Sequence, residues 1–263
     1  MPILFLAFFF NLGFAFSAQF DFTGTVQING CSGFLFRFEH SKDSDQALIM
    51  TAGHCASVGR RLNSGEYVYH MKSQVPVRFL NANGSVGPQV IYTDELSYAT
   101  VTGTDISIYA LKSSYSQIMN QFATTPLILS SRRPKLGQQI QVLSGQLQRG
   151  YACFIAAFVY QLKEDDYVWH DSLRYSRTGC QTVGGTSGAP VIDITNNKVV
   201  GINNTGNLSG DTCTGNNACE VSADGNISFE KGASYGQQTY EIYSCLDNNR
   251  HLNLNLSGCR LFH

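Results

Sequence analysis

The sequence predicts an all-β fold. Apolar or alternating runs only a few residues long recur along the chain; they are rich in Val, Ile, Tyr, Phe and Thr, and Gly, Asn, Ser or Pro separates them. Helical periodicity is absent beyond the N-terminal segment except at 113–120, where we expect one short helix. Short strands joined by turns should therefore build most of the protein.

The runs define the expected strands in chain order. In the first half they lie at 23–28, 33–38, 46–52, 66–71, 77–80, 90–93 and 105–111, and in the second half at 139–143, 151–162, 167–169, 190–194, 198–203 and 237–243. Residues 121–135 lie between the two sets and contain two prolines and two adjacent arginines, which is typical of a linker. We therefore expect this segment to join two β units.

The first residues have the pattern of a secretory signal peptide. Residues 3–16 form an apolar run of about 14 residues, shorter than the roughly 20 that span a bilayer. Ala15 and Ser17 suit the positions before a cleavage site, so we expect residues 1–17 to be removed and the mature chain to begin near Ala18. No Lys or Arg precedes the apolar run, which leaves an uncleaved anchor as an alternative.

Charge and cysteine content limit the compartment and the partners. The 18 Lys and Arg residues nearly balance the 19 Asp and Glu residues, so neither a nucleic acid nor an anionic membrane is expected as a partner. The eight cysteines, an even number behind an export signal, indicate disulfides formed in an oxidising compartment. We expect a secreted or periplasmic protein that leaves the membrane once its signal is cleaved.

Three separated segments carry side chains suited to nucleophilic catalysis. His54 lies in the sequence Thr-Ala-Gly-His-Cys, Ser187 lies in Gly-Gly-Thr-Ser-Gly-Ala-Pro, and Asp105 stands between them at the head of an apolar run. A serine hydroxyl needs a base whose pKa lies near the working pH, and that base needs a buried carboxylate to fix its tautomer. We assign the roles of nucleophile, base and orienting acid to Ser187, His54 and Asp105.

Asp94 is the alternative orienting acid. Its neighbours Thr93 and Glu95 have the character of solvent-exposed residues, whereas the isoleucines that follow Asp105 would anchor its strand in the core. The other histidines lack a comparable context and are interpreted as surface or packing residues. Asp105 is therefore the preferred candidate.

The order His, Asp, Ser and the sequences around these residues resemble the chymotrypsin-like serine peptidases. The Gly-Thr-Ser-Gly-Ala-Pro form is most similar to their bacterial secreted branch, which includes the glutamyl endopeptidases. The resemblance implies two packed six-stranded antiparallel β-barrels with the active site in the cleft between them. Residues 18–120 would form the first barrel with the base and the acid, residues 121–135 the linker, and residues 136–263 the second barrel with the nucleophile.

The same resemblance assigns the oxyanion donors to the backbone N–H groups of Gly185 and Ser187. It places the specificity pocket beside the nucleophile, and its candidate residues are Gln181, Thr182, Asn203, Asn204, Thr205 and Gly206. The edge at 203–205 would bind the substrate backbone by strand addition. No acid stands at the pocket base, and Asn203 stands where glutamyl endopeptidases have His, so the pocket is expected to be polar and uncharged, with its preferred side chain open.

The residue before the nucleophile departs from the trypsin-like zymogens. Those proteins have Asp there, which pairs with a newly cut N-terminus, whereas this chain has Thr186 and lacks an Ile-Val-Gly-Gly start near Ala18. We therefore predict that activation by that ion pair does not operate. A short pro-segment after Ala18 stays open.

The resemblance pairs Cys31 with Cys55. Pairing of neighbours in the second half then suggests three further disulfides, Cys153 with Cys180, Cys213 with Cys219, and Cys245 with Cys259. A zinc site fits poorly because the chain has no Cys-x2-Cys pair, and adjacent His54 and Cys55 would point in different directions. The acids within 207–232 do not have calcium-loop spacing. We expect neither a metal nor another cofactor.

These expectations combine into a function hypothesis. The chain would be a secreted, monomeric serine endopeptidase that cleaves polypeptides through an acyl-enzyme on Ser187. An esterase using the same triad and a non-catalytic binding protein on the same fold remain alternatives. A disulfide-rich structural protein whose motifs occur by chance is a third.

Overall fold

The computed structural model describes residues 20–263, so the predicted signal peptide at 1–17 lies outside the described residues. The described part contains sixteen strands, one α-helix and two 3-10 helices. The strands are β1 (Thr25–Ile28), β2 (Cys31–Arg37), β3 (Gln46–Thr51), β4 (Tyr67–Lys72), β5 (Pro76–Phe79), β6 (Ile91–Thr100), β7 (Ile106–Ser114), β8 (Leu127–Leu129), β9 (Gln139–Ser144), β10 (Arg149–Glu164), β11 (Tyr167–Tyr175), β12 (Pro190–Asp193), β13 (Lys198–Gly206), β14 (Cys219–Val221), β15 (Ile227–Ser228) and β16 (Ser234–Gln238). The helices are α1 (Tyr115–Phe122) and the 3-10 helices Gly53–Cys55 and Tyr240–Cys245.

Two closed barrels contain most of the strands. Six strands of the first half form a ring in the order β1-β5-β6-β7-β3-β2, which closes because β1 also pairs with β2. Six strands of the second half form a ring in the order β13-β12-β9-β10-β11-β16, which closes through pairing of β13 with β16. Neighbouring strands in both rings are antiparallel. The two six-stranded barrels predicted from the sequence are confirmed.

Strand alternation explains how each barrel obtains two apolar surfaces. On β2, Leu35 faces the interior of the first barrel, whereas its neighbours Phe34 and Phe36 join a separate apolar cluster. That cluster also contains Leu143 and Ile202 from the second barrel, so the barrels pack through an apolar interface. Burial of these side chains stabilises the interface, at about 25 cal/mol per Å² of apolar surface removed from water.

The segment at 121–135 is more ordered than a simple linker. It contains β8, which the sequence analysis did not predict and which pairs in parallel with β2 of the first barrel and with β13 of the second. The helix before it, α1, begins at a capping box in which Ser114 and Gln117 bond each other's backbone and side chain. The prolines and adjacent arginines around β8 indicated a linker and so concealed this strand of three residues.

Three expected strands differ most from the structure, and one of them, expected at 167–169, extends to Tyr175 as β11. The strand expected at 90–93 extends to Thr100 as β6. The strand expected at 237–243 ends at Gln238, and a 3-10 helix follows in which Ile242 and Cys245 are buried. Buried residues three apart match the three-residue turn of that helix rather than strand alternation. The short strands β14 and β15 were also not predicted.

Four disulfides stabilise the described residues, and they are the four pairs given in the sequence analysis. They join Cys31 to Cys55, Cys153 to Cys180, Cys213 to Cys219 and Cys245 to Cys259. Such a set is typical of an oxidising, extracytoplasmic compartment. No helix in the range 20–263 is long and apolar enough to cross a membrane.

Candidate active site

His54 and Asp105 form a doubly hydrogen-bonded pair at one end of the first barrel. The Asp105 side chain is fully buried, and its Oδ2 lies 2.7 Å from His54 Nδ1 while its Oδ1 accepts the His54 backbone N–H at 2.8 Å. A carboxylate can only accept hydrogen bonds, so Nδ1 carries the proton. The other ring nitrogen, Nε2, is then free to accept a proton, as a general base requires.

The backbone around His54 is held close to the Asp105 strand. A Cβ at Gly53 would lie 1.8 Å from the Thr100 carbonyl oxygen and 2.9 Å from Asp105 Oδ1. No side chain fits there, because non-bonded atoms need about 3 Å or more. Gly53 therefore permits the contact that brings His54 to its carboxylate.

Ser187 lies on a tight turn between the Cys180 loop and β12. Its neighbour Gly188 has φ +82°, and a Cβ there would lie 2.2 Å from the Ser32 carbonyl oxygen, so this position favours glycine. The Ser187 carbonyl accepts the Ser32 N–H at 2.9 Å. Among the described residues, the Ser187 hydroxyl donates to the Asn204 carbonyl at 3.4 Å, and no hydrogen bond joins it to His54.

The expected oxyanion donors are available for a ligand. Within residues 20–263, the backbone N–H groups of Gly185 and Ser187 have no hydrogen-bond acceptor. The Gly185 carbonyl, in contrast, is bound on its other side by the Ser32 hydroxyl at 2.8 Å and approached by the Ser144 hydroxyl at 3.3 Å. The turn is therefore anchored from behind, and two N–H groups are left for an anion.

A single cleft joins these residues. It is lined by His54, Arg61, Val101, Glu164, Tyr167, Trp169, Thr182, Val183, Gly184, Ser187, Asn203, Asn204, Thr205, Gly206, Leu208 and Asn216. Five of the six expected specificity residues are in this set. Gln181 is not: its side chain is exposed, because it alternates with the buried neighbours Cys180 and Thr182.

Polar atoms without partners concentrate beside Ser187. Asn203 Oδ1, both amide atoms of Asn204 and the Thr186 hydroxyl are buried and make no hydrogen bond within the described residues. Buried polar groups are seldom left unpaired. Asn203 and Asn204 thus bring unpaired amide groups to the wall of the cleft.

Four charged or aromatic cleft residues were not recognised from the sequence. Tyr167 and Trp169 stack with ring centroids 5.9 Å apart, Trp169 donates its indole N–H to the Val101 carbonyl at 3.0 Å, and Arg61 lies over the Tyr167 ring. Glu164 is the fourth, and Asp165 and Asp166 follow it directly, a run of acids typical of a solvated turn. No sequence signal distinguished it from them.

The charges in the cleft shift two pKa values upward. Burial opposes the charged form of His54, but the charge and the hydrogen bond of Asp105 outweigh burial, with a smaller contribution from Glu164, so the pKa of His54 lies above 6.5. Burial raises the pKa of Glu164, and its hydrogen bonds with Thr205 and Asn216 offset this only in part. His54 is thus held as a stronger base than a free imidazole.

Asp94, the alternative orienting acid, has a different partner from Asp105. Asp94 lies within β6 and its nearest cation is Lys112 at 3.7 Å, while Thr93 beside it is buried and not exposed as expected.

Ligand atoms of Cys31, His54 and Cys55 do cluster within 4.8 Å. The two sulfurs are bonded to each other, so neither is a thiolate that could ligate zinc.

A family model for a trypsin-like peptidase domain matches residues 31–202, a span that includes His54, Asp105 and Ser187. The chain belongs to the trypsin-like peptidase domain family. It is therefore a serine-type endopeptidase by class, and polypeptides are its substrate class. No curated protein sequence matches the chain.

Solved structures show the same fold at low identity. The active form of the Rv3671c protease from M. tuberculosis is 15% identical over 91% of this chain and 86% of that one, with a TM-score of 0.51. The MamO protease domain from Magnetospirillum magneticum is 13% identical over 88% of this chain and 99% of that one, with a TM-score of 0.51. A Nocardiopsis protease is 22% identical over 83% and 92%, with a TM-score of 0.46. The two structures with TM-scores of 0.51 support the two-barrel architecture.

Proposed function

We propose that this trypsin-like peptidase is a secreted endopeptidase that works through a Ser187 acyl-enzyme, with His54 as base and then acid and Asp105 orienting His54. The support is one constellation: His54, whose Nε2 is left free by the Asp105 bond, and Ser187 line the same cleft, and the N–H groups of Ser187 and of nearby Gly185 have no acceptor within residues 20–263. No cofactor takes part in these steps. The export pattern at 1–17 and the four disulfides support secretion.

The proposed reaction has two halves. The Ser187 oxygen attacks the carbonyl carbon while its proton passes to His54 Nε2, and the N–H groups of Gly185 and Ser187 bind the oxyanion. Collapse breaks the C–N bond, and His54 returns the proton to the departing amine. Water, deprotonated by His54, then attacks the acyl ester and releases Ser187 with its proton restored.

The hydroxyl must turn for the first step. It donates to the Asn204 carbonyl at 3.4 Å, and rotation about its Cα–Cβ bond to another staggered position would direct it toward His54. Catalytic hydrogen bonds are often long or misaligned without substrate. The same observation favours the rival function, a non-catalytic binding protein in which the hydroxyl never reaches the base.

A fluorophosphonate probe distinguishes the two functions because it reacts only with an activated serine. We expect the mature protein to be labelled, and Ser187→Ala and His54→Ala proteins with intact disulfides to stay unlabelled. A folded wild-type protein that resists the probe would support the binding protein. Comparing kcat/KM for matched peptide and ester substrates then separates an endopeptidase from an esterase, and fractionation of the producing cells tests export.

A further inference from the structure

Glu164 is a carboxylate without a cationic partner in the cleft. It stands at the end of β10, and no Lys, Arg or His of the described residues lies within 4.0 Å of its oxygens. Glu220 on the neighbouring β14 is paired with Arg174 at 3.0 Å, and the buried Asp193 of β12 accepts two hydrogen bonds from Thr195. Partly buried charges are normally paired, so an unpaired one needs an explanation.

Two hydrogen bonds fix the position of this carboxylate. Oε1 accepts the Asn216 backbone N–H at 2.8 Å, and Oε2 accepts the Thr205 hydroxyl. Each oxygen has a further lone pair, so the carboxylate can still bind a donor from the cleft. These donors, from β13 and from the disulfide-linked loop after it, are uncharged. They fix the position of the Glu164 carboxylate but bring no positive charge to it.

The fixed carboxylate lies where an extended substrate would pass. Thr205, which holds it, belongs to the β13 edge proposed to bind the substrate backbone, and His54 lines the same cleft. On the acyl side of the scissile bond, residues beyond the first would run along that edge. A long cationic side chain there could place its N–H groups against the Glu164 oxygens.

Arg61 is the competing charge in the cleft. It is exposed and lies over the Tyr167 ring at 5.8 Å, so water and salt screen it. Glu164 is partly buried, and its field is screened less. Because Glu164 is screened less than Arg61, we expect the cleft to prefer a cationic side chain of the substrate.

We propose that Glu164 forms a subsite for a Lys or Arg side chain of the substrate, on the acyl side of the scissile bond and beyond the first residue. This rests on the proposed function and adds a substrate class to it. The residues expected to form the specificity pocket beside Ser187 include no acid, so cationic selectivity of this chain would come from a neighbouring subsite. Charge-assisted hydrogen bonds of this type correspond to about tenfold or more in affinity.

The test uses fluorogenic peptides of one sequence in which the second, third or fourth residue before the scissile bond is Lys, Arg, Gln or Glu. We expect kcat/KM to be about tenfold higher for Lys or Arg than for Gln at one of these positions. Glu164→Gln keeps the shape and an acceptor oxygen, and it should remove the ratio. Asp166→Asn removes the same charge from the exposed end of the same hairpin and should keep it.

An equal ratio in wild type and Glu164→Gln, or a preference for Glu, would overturn the subsite. Probe labelling of the same samples shows whether the enzyme itself works, so a labelled enzyme without the preference counts against the subsite alone. A second measurement needs neither turnover nor a Glu164 variant: binding of the Lys and Gln peptides to Ser187→Ala protein. Tighter binding of the Lys peptide that weakens as NaCl is added supports the subsite, and equal binding contradicts it.

Discussion

Replacing Ser32 by alanine tests whether its hydrogen bond to the Gly185 carbonyl holds the turn that carries the two oxyanion donors, Gly185 and Ser187, in its active geometry. The Leu147 N–H donates to Ser144 Oγ at 3.2 Å, the two serine hydroxyls lie 2.9 Å apart, and Ser32 Oγ lies 2.8 Å from the Gly185 carbonyl. Each hydroxyl has one proton to donate. The hydrogen bonds are therefore consistent with a chain of donation from the Leu147 N–H to Ser144, from Ser144 to Ser32, and from Ser32 to the Gly185 carbonyl. Both serines are fully buried.

The structure sets the size of the expected effect. Ser32→Ala leaves the Gln146 N–H, which donates to Ser32 Oγ at 3.1 Å, without its acceptor, and it leaves Gly185 with only the longer contact to Ser144. A buried polar group left unpaired costs about 1–3 kcal/mol in the free energy of unfolding. If about 1.4 kcal/mol of that held the turn, kcat would fall about tenfold. Loss of an oxyanion donor itself costs about 10² to 10³.

Steady-state kinetics on one peptide and urea unfolding of the same samples measure the two effects separately. We expect Ser32→Ala to lower kcat with little change in KM, because the oxyanion forms only after attack. Ser172→Ala is the control: Ser172 is also fully buried and is hydrogen-bonded to Gln237, but it does not line the cleft. A Ser32→Ala protein that loses stability but keeps wild-type kcat would show that the Ser32 hydroxyl does not set the geometry of the oxyanion donors.

Three further predictions follow from the same geometry. Asp105→Asn should lower kcat by about 10⁴ while the fold persists, because an amide cannot accept both His54 N–H groups; a loss below tenfold in the kinetic assay would contradict the assigned role. Because the pKa of His54 is raised above 6.5 and the base must be neutral, kcat/KM should fall with decreasing pH through a midpoint above 6.5; a profile whose acid limb lies lower would argue against the Asp105 pair. Gly188→Ala should destabilise the protein in urea and abolish probe labelling, since its Cβ would meet Ser32; Gly30→Ala, at φ +75° with open space around it, measures backbone strain alone and should label normally.

Local chemistry made several features predictable from the sequence. The residue types needed for a base, an orienting acid and a nucleophile carry recognisable neighbours, such as the glycines around Ser187, whose turn cannot accept a side chain. Strand alternation is likewise local, so the runs at 46–52 and 198–203 coincide with β3 and most of β13. The roles of the proposed triad still await the labelling experiment.

Contacts between distant segments were not predictable in this way. Glu164 has the same sequence surroundings as its exposed neighbours, and only folding of β10 against β13 and the loop after it brings Thr205 and Asn216 to its carboxylate. Gln181 was expected in the pocket from its distance to Ser187 along the chain, but its side chain direction depends on the buried residues at either side.

Residue type and near neighbours were enough to predict short strands, four pairs of cysteines, and a base, an acid and a serine in the order of the family. Which polar groups share the cleft, and which bind the turn on the side away from the cleft, depends on how distant segments pack. Ser32 and Ser144 are 112 residues apart and meet at Gly185 only when the two barrels pack. Bringing such distant residues together costs conformational entropy, and apolar burial summed over the whole interface offsets that cost. The residues near each serine in the sequence therefore do not predict the contact.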